Sequence, residues 1–160
     1  MAPDVLIVLG SKSDAEVGKK AREILKEFGV SHEMVVSSAH RTPEELQALV
    51  KEADAKVFIA IAGLSAALPG TIAAHTTRPV IGVPVSGKLN LDSILSITQM
   101  PPGVPVAAVG LDRGENAGLL AVEILAVGNP ALEKKLRDHR EAMKRWVRED
   151  SRNLDLPPPA

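Results

Sequence analysis

One short segment of the chain, residues 37–43, combines a histidine, an arginine and three hydroxyl side chains. His40 can both donate and accept a proton, because the imidazole of histidine titrates near neutral pH. Arg41 has a forked set of donors that suits phosphate oxygens, with a surface salt bridge as its alternative role. The segment is therefore the first candidate reaction site. The alternative for His40 is an ordinary loop histidine bonded to a nearby carbonyl.

A second polar segment, residues 10–14, reads Gly-Ser-Lys-Ser-Asp and follows the first apolar run of the chain. A helix is predicted directly after it, and the first amides and the dipole of a helix favour a phosphate. The segment lacks the glycine spacing of a dinucleotide loop and the Gly-Lys-Ser/Thr ending of a nucleoside-triphosphate loop. A compact phosphate monoester fits it better. The alternative is an ordinary N-cap, with Ser13 and Glu16 in a capping box or Asp14 capping alone.

Two further loops have the composition of a ligand site. Gly63 and Gly70 bracket small side chains that would let a ligand touch the backbone, although tight packing is the competing explanation. Residues 84–90 are polar and suit a lid, or a plain connection. No metal-binding constellation is present in the sequence. The other three histidines, His32, His75 and His139, favour structural roles.

The elements that must position these loops alternate between strands and helices. Strands are predicted at 5–9, 34–36, 57–61, 80–83 and 104–109, and helices at 15–28, 42–53, 68–76, 92–99, 116–127 and 131–149. The strands are continuous apolar runs, which is typical of parallel strands covered on both faces. The helix near residue 42 is predicted to begin with a capping box at Thr42 and a proline at its first position.

This alternation predicts a flavodoxin-like three-layer α/β/α domain with a five-stranded parallel sheet and a C-terminal helix. Ligands of such domains bind at the carboxyl ends of the strands, where the strand order reverses. The polar loops all follow strands directly. We therefore expect them to share one pocket.

The composition narrows the classes of function. The chain has 160 residues, enough for one domain of ordinary size. Its 19 Lys and Arg against 20 Asp and Glu do not favour nucleic-acid binding, and no apolar run approaches the roughly 20 residues of a membrane span. The absence of cysteine and of a recognisable signal segment at the N-terminus favours a cytoplasmic protein.

The C-terminal third carries signals of assembly. Residues 116–127 are apolar around nearly the whole helix, which predicts a subunit interface as their cover. Residues 131–149 are strongly charged with a narrow apolar stripe, so this helix is expected to pack on a neighbouring subunit or, alternatively, on its own domain. The predicted organisation is a catalytic domain at 1–129, a C-terminal helix at 130–150 and a flexible tail at 151–160.

Five motifs together resemble the N5-carboxyaminoimidazole ribonucleotide mutase family of purine biosynthesis. They are Gly-Ser-Lys-Ser-Asp at 10–14, Ser-Ala-His-Arg-Thr-Pro at 38–43, Ala-Ala-Leu-Pro-Gly at 66–70, Pro-Val-Ile-Gly-Val-Pro at 79–84, and the stretch from Asp-Ser at 92–93 through Gln-Met-Pro at 99–101 to Gly-Val-Pro-Val-Ala at 103–107. The similarity covers about residues 4–127, in order and at the family's spacing. It implies a homo-octamer with active sites shared between subunits and no metal or organic cofactor.

The resemblance also implies a reaction and a role for each matched residue. The family moves a carboxylate from the exocyclic nitrogen to ring carbon C4, and the proposed route releases carbon dioxide and recaptures it in a closed pocket. His40 is then the general acid/base. The positions that match the family's ribose and phosphate ligands are Ser11, Ser13, Asp14, Ser38 and Arg41, and those on the loop facing the carboxylate are Ala62, Gly63 and Leu64.

One position departs from the family, because Ala67 stands where typical mutases have a histidine. A sister branch, the aminoimidazole ribonucleotide carboxylases, uses free carbon dioxide. Leu64 and Ser65 lean toward that branch, whereas Arg41 and residues 79–83 lean toward the mutases. We therefore expect a mutase, with the carboxylase as an alternative.

A third hypothesis is a non-catalytic, flavodoxin-like module that binds a mononucleotide. A flavin version of it is disfavoured by the lack of tyrosine and the presence of a single tryptophan, because flavin rings usually stack on aromatic side chains.

Overall fold

The computed structural model describes residues 2–154 as alternating strands and helices. The strands are β1 (Val5–Leu9), β2 (His32–Val36), β3 (Val57–Ala62), β4 (Val80–Pro84) and β5 (Ala107–Ala108). The helices are α1 (Ala15–Phe28), α2 (Pro43–Glu52), α3 (Ala67–His75), α4 (Asn90–Thr98), α5 (Gly114–Ala126) and α6 (Pro130–Arg152), with a 3₁₀ turn at Lys12–Asp14. None of the helices within residues 2–154 is both long and apolar enough to cross a membrane.

The five strands form one parallel sheet in the order β2-β1-β3-β4-β5. This is the flavodoxin-like order, so the predicted fold class is confirmed. The order reverses between β1 and β3, and the loops that follow them diverge to opposite faces. A crevice is therefore expected beyond the carboxyl ends of these two strands.

Alternate residues of β1 face the two sides of the sheet and belong to two separate apolar clusters. Val5, Ile7 and Leu9 pack with α1 and α5 on one face. Leu6 and Val8 pack with α2 and α3 on the other. Every residue of β1 and β3 is buried, which explains why both read as unbroken apolar runs. The sheet is thus the middle of three layers.

The fifth strand is much shorter than predicted, since only Ala107 and Ala108 pair with β4. The prediction of a strand over 104–109 was wrong in length. Pro105 has no backbone N–H to donate to a ladder, and β5 is an edge strand with one neighbour in the described sheet. Apolar character alone had suggested a full strand there.

Neither predicted capping box forms. The Thr42 hydroxyl makes no capping bond to α2 and instead bonds the backbone of Ser38, whereas Pro43 does occupy the first turn as predicted. The Ser13 hydroxyl donates to Asp14 and does not cap α1, and Asp14 makes no side-chain capping bond to the helix either. These side chains stabilise the turns that precede α1 and α2.

Helix α5 is covered largely within its own chain, so its apolar surface does not require the predicted subunit interface. Ala117, Ala121 and Val122 are fully buried against α1 and the sheet. The first half of α6 packs over α5 through Leu132 and Leu136. Helix α6 ends at Arg152, two residues beyond the predicted boundary of 150. Residues 155–160 of the predicted tail lie outside the described part of the chain.

Candidate active site

The loops after β1, β2, β3 and β4 line a single cavity of about 730 Å³ at the carboxyl edge of the sheet. Its lining contains all nine residues singled out from the sequence, namely Ser11, Ser13, Asp14, Ser38, His40, Arg41, Ala62, Gly63 and Leu64. Lys12, although part of the first polar motif, is not among the lining residues. The parallel sheet therefore brings together residues that lie up to about 50 positions apart in the sequence.

The loop after β1 is held at both of its ends. The Gly10 amide donates to the Ile61 carbonyl at 2.9 Å, which joins the loop to β3. Within the following 3₁₀ turn, the Ser11 hydroxyl accepts from the Ser13 amide at 3.4 Å. The Ser13 hydroxyl donates to Asp14 Oδ1 at 3.3 Å. The turn thus places two hydroxyls and one carboxylate on the cavity wall before α1 begins.

Among residues 2–154, Asp14 is the only carboxylate in the cavity lining, and it is 6% exposed. Burial raises the pKa of this carboxyl, because a low-dielectric surrounding penalises its charged form. The Ser11 backbone, the Ser13 hydroxyl and the charge of Arg41 act in the opposite direction on the pKa. A buried carboxylate with these neighbours can accept a hydrogen bond from a ligand hydroxyl.

Arg41 connects the loop after β2 to the loop after β1. Its Nε donates to the Ser38 hydroxyl at 3.2 Å, and its Nη2 donates to the Gly10 carbonyl at 2.8 Å. Ser38 is itself fixed, because its amide donates to the Thr42 hydroxyl at 3.1 Å. Three of the five guanidinium N–H donors have no partner within residues 2–154. Arg41 is therefore oriented by the protein and retains donors for an anion.

His40 lies on the cavity wall and is exposed. Its ring makes no hydrogen bond with any residue of the described chain, whereas His32 Nδ1 lies 2.8 Å from the Val30 carbonyl. His139 Nδ1 lies 3.2 Å from Glu27 Oε1 on the far side of the domain. The alternative of a loop histidine bonded to a nearby carbonyl therefore does not apply to His40, whereas His32, at the start of β2, makes such a bond. Both ring nitrogens of His40 remain available for proton transfer.

The loop after β3 contributes backbone and small side chains to the cavity. Ser65 and Ala66 have positive φ angles of 56° and 23°, a strained conformation for residues other than glycine. The Ser65 amide donates to Asp92 Oδ2 at 3.3 Å, which holds this conformation from α4. Ala67, at the position that departs from the family pattern, also lines the cavity. This wall carries no charged side chain.

The loop after β4 is a larger part of the site than the sequence suggested. Five consecutive residues, 85–89, line the cavity, including Lys88. Asp112 anchors this loop, because its Oδ1 accepts from the Ser86 amide at 2.8 Å. Asp112 was not among the residues predicted from the sequence. Its position in a polar loop after the fifth strand, at the same edge of the sheet, was the available signal.

Within residues 2–154, no group of three or more His, Cys, Asp or Glu side chains is arranged to hold a metal ion. The charged or titratable side chains of the cavity lining are Asp14, His40, Arg41 and Lys88. This set can bind a phosphorylated, hydroxylated anion and move a proton.

Comparison with known proteins agrees with this chemistry. The N5-carboxyaminoimidazole ribonucleotide mutase of Methanocaldococcus jannaschii is 58% identical over 144 residues, covering 89% of this chain and 92% of that protein. The mutase of Thermotoga maritima is 48% identical, covering 96% and 92%. A probable mutase of Methanothermobacter thermautotrophicus is 49% identical, and the match spans 46% of that longer protein.

A solved structure and a family model also match most of this chain. Treponema denticola PurE superposes with a TM-score of 0.85 at 29% identity, covering 95% of this chain and 98% of that one. The family model described as AIR carboxylase matches residues 4–146, nearly the whole chain. On these matches, the chain belongs to the AIR carboxylase family.

Proposed function

We propose that this protein is an N5-carboxyaminoimidazole ribonucleotide mutase, which converts its substrate to 4-carboxyaminoimidazole ribonucleotide in the biosynthesis of purines. The observation that carries the proposal is one cavity that combines a phosphate-type loop with His40, whose ring has no hydrogen-bond partner in the described part of the chain. Relatives named as this mutase, up to 58% identical, support the same reaction. The reaction is an isomerisation, since a carboxylate moves within one molecule.

The reaction requires a proton shuttle more than a nucleophile, because a carbamate loses carbon dioxide readily. The bond between the exocyclic nitrogen and the carboxylate carbon breaks, and ring C4 then forms a bond to that carbon. The nitrogen gains one proton and C4 loses one, so atoms and charge balance. His40 delivers the first proton and removes the second, which general acid/base catalysis permits at neutral pH.

The substrate lies across the cavity with its phosphate near the loops after β1 and β2. Ser11, Ser13, Ser38 and Arg41 bind the phosphate and ribose through hydroxyls and the three unpartnered guanidinium donors. Asp14 accepts a hydrogen bond from a ribose hydroxyl. The backbone of Ala62, Gly63 and Leu64 faces the carboxylate, where small side chains leave room for carbon dioxide beside C4.

The loops also retain carbon dioxide next to its acceptor. Released carbon dioxide must react before it diffuses away, so the reaction gains from proximity and from exclusion of water. Ala62, Gly63, Ala67 and Leu68 give the cavity an apolar wall with no competing nucleophile. Ala67, in place of the usual histidine of mutases, enlarges this apolar part.

The test measures, by ultraviolet absorbance, how fast the protein forms 4-carboxyaminoimidazole ribonucleotide from each of two substrates. The first is fresh N5-carboxy substrate, and the second is aminoimidazole ribonucleotide with saturating bicarbonate and carbon dioxide. Rapid turnover of the N5-carboxy compound alone is expected. Preference for free carbon dioxide would identify the carboxylase reaction instead, and no turnover from either source would favour the non-catalytic binding module.

The role of His40 has its own prediction. His40→Asn should lower turnover by about 10²–10⁴-fold while ribonucleotide binding persists, because the variant removes the shuttle and leaves the phosphate loops intact. His75→Asn is the matched control, since His75 is not among the cavity-lining residues. Substantial activity in His40→Asn would assign the proton transfers to another group.

We further propose that the chain assembles as a homo-octamer in the cytoplasm, with residues 1–129 as the catalytic unit. The assembly is supported by exposed apolar side chains on the second half of α6, where Trp146 is 58% and Val147 68% exposed. The absence of cysteine suits a reducing compartment. Light scattering on the purified protein gives its mass in solution, and a monomeric mass would contradict the octamer.

A further inference from the structure

Among the described residues, the cavity lining contains one arginine and one lysine, Arg41 and Lys88, and they lie on different loops. Arg41 follows β2, whereas Lys88 follows β4. In the observed strand order, β1 and β3 separate these two strands. Three strand spacings correspond to about 14 Å between the strand axes. The Arg41 guanidinium reaches back to the Gly10 carbonyl after β1, so about two strand spacings, roughly 10 Å, separate it from the strand that precedes Lys88.

The loop that carries Lys88 is built into the structure by three hydrogen bonds. The Ser86 amide donates to Asp112 Oδ1 at 2.8 Å, and the Gly87 amide donates to Asn90 Oδ1 at 2.9 Å. The Ser93 hydroxyl lies 3.4 Å from the Val85 carbonyl. These contacts fix the backbone of residues 85–87, directly before Lys88. Lys88 is thus presented from an anchored loop.

Lys88 has no other task in the described chain. Its ammonium makes no ion pair or hydrogen bond with any residue of 2–154, in contrast to Lys20, which donates to the Asp112 carbonyl at 3.2 Å. Lys56 is likewise paired, with Asp4 at 2.8 Å. An ammonium on a flexible four-carbon stem beside a cavity is well suited to meet an anion there.

The wall between the two cations carries no charge of its own. Ala62, Gly63, Ala67 and Leu68 line it. This wall follows β3, which lies between β1, where Arg41 donates to the Gly10 carbonyl, and β4, whose loop carries Lys88. The Arg41 guanidinium is already bonded to Ser38 and Gly10. Within residues 2–154, Lys88 is therefore the cation beside this wall that has no protein partner. The substrate of the proposed reaction has two anionic ends, a phosphate and a carboxylate.

We propose that Lys88 binds the carboxylate of the substrate and of the product, and so determines specificity for carboxylated ribonucleotides. This inference rests on the proposed function, which places the phosphate at the Arg41 end. Lys88 holds the carboxylate beside the apolar wall through a charge-assisted hydrogen bond. It takes no part in the proton transfers, which remain with His40.

The experiment compares two ribonucleotides that differ only in the carboxylate. Calorimetric titration measures the affinity of 4-carboxyaminoimidazole ribonucleotide and of aminoimidazole ribonucleotide for His40→Asn protein, in which turnover is blocked. The same titrations are repeated on three double variants, which combine His40→Asn with Lys88→Ala, with Lys88→Arg or with Lys51→Ala. Lys51 is the control, since it is an exposed lysine in the last turn of α2 and is not a cavity-lining residue.

Lys88→Ala should weaken binding of the carboxylated compound by about 10-fold or more, the usual weight of one hydrogen bond to a charged group. Binding of the uncarboxylated compound should change less than about 2-fold. Lys88→Arg should recover part of the loss, and Lys51→Ala should change neither affinity. An equal loss for both compounds would assign Lys88 to the phosphate or to loop structure, and no loss for either would remove it from the site.

The failures of the two proposals are distinguishable. If the unmutated protein turns over N5-carboxy substrate and Lys88→Ala leaves the affinity ratio unchanged, only the assignment of Lys88 is wrong. If the unmutated protein shows no turnover and Lys88→Ala still weakens the carboxylated compound selectively, the carboxylate site stands and the mutase does not. If neither compound binds the His40→Asn protein with Lys88 intact and the unmutated protein shows no turnover, both proposals fail.

Discussion

Gly118→Ala should destabilise the protein, because α5 lies against α1 with too little space for a methyl group. A Cβ atom built on Gly118 would come within 2.7 Å of the Ala21 carbonyl oxygen and 3.0 Å of Ile24 Cβ. Ordinary contact begins near 3.4 Å, so the helices would have to separate locally by about 0.7 Å. The obstructing atoms belong to the backbone and to a Cβ, and neither can move by a rotamer change.

The change in the free energy of unfolding caused by Gly118→Ala is the sum of two opposing contributions. Alanine in a helix interior is favoured over glycine by about 1 kcal/mol. Overpacking of a well-packed contact costs about 1–3 kcal/mol. Gly70→Ala is the matched control, because Gly70 is also inside a helix and its Cβ would meet only flexible Met100 atoms at 3.4 and 3.5 Å. The propensity gain is common to both variants, so their difference isolates the overpacking cost of about 1–3 kcal/mol.

Urea denaturation followed by circular dichroism measures this difference, at one fixed protein concentration because association would shift the midpoint. Gly118→Ala should unfold at lower urea than the unmutated protein, and Gly70→Ala at equal or higher urea. Gly114→Ala should be the most damaging of the three, since a Cβ there would overlap the Val17 carbonyl. Equal midpoints for Gly118→Ala and Gly70→Ala would refute the close packing of α1 and α5.

Two predictions concern the cavity residues Asp14 and Arg41. At pH 7 the free energy of unfolding of Asp14→Asn should equal or exceed that of the unmutated protein. Burial raises the pKa of Asp14, so the charged carboxylate destabilises the folded state. This destabilisation develops as pH rises through the pKa of Asp14 in the folded protein. Denaturation at a series of pH values should show the difference vanishing below about pH 4, and a gap that widens toward acid pH would contradict the reasoning. Arg41→Ala should raise the Michaelis constant about 10- to 100-fold by removing phosphate contacts, and an unchanged constant would return Arg41 to a surface role.

Much of the sheet could be predicted from the sequence, because each buried strand is a local apolar run. The bounds of α1 were predicted from helical spacing, and Gly29, with a φ angle of 72°, terminates it as expected. The alternation of elements then implied a parallel sheet, and the polar loops after the strands had to meet at one edge. His40, Arg41 and the serines were found in this way, with the family resemblance adding their roles.

Local patterns were less informative where the outcome depended on partners distant in the sequence. The same apolar character suggested six residues for β5, but pairing on one side and a proline reduced it to two. The circumference of α5 suggested a subunit interface, yet α1 and α6 cover most of it. In both cases the sequence indicated that apolar groups needed a partner without indicating which partner.

The residue types at the site were therefore determined by the sequence itself, and their arrangement by the tertiary structure. Nothing local relates Arg41 to the Gly10 carbonyl, Asp112 to the Ser86 amide, or Lys88 to the apolar wall of the β3 loop. These relations exist because the strand order β2-β1-β3-β4-β5 places the loops side by side. Strand order depends on packing free energies summed over the whole domain, and a local sequence pattern reports only the part contributed by its own residues.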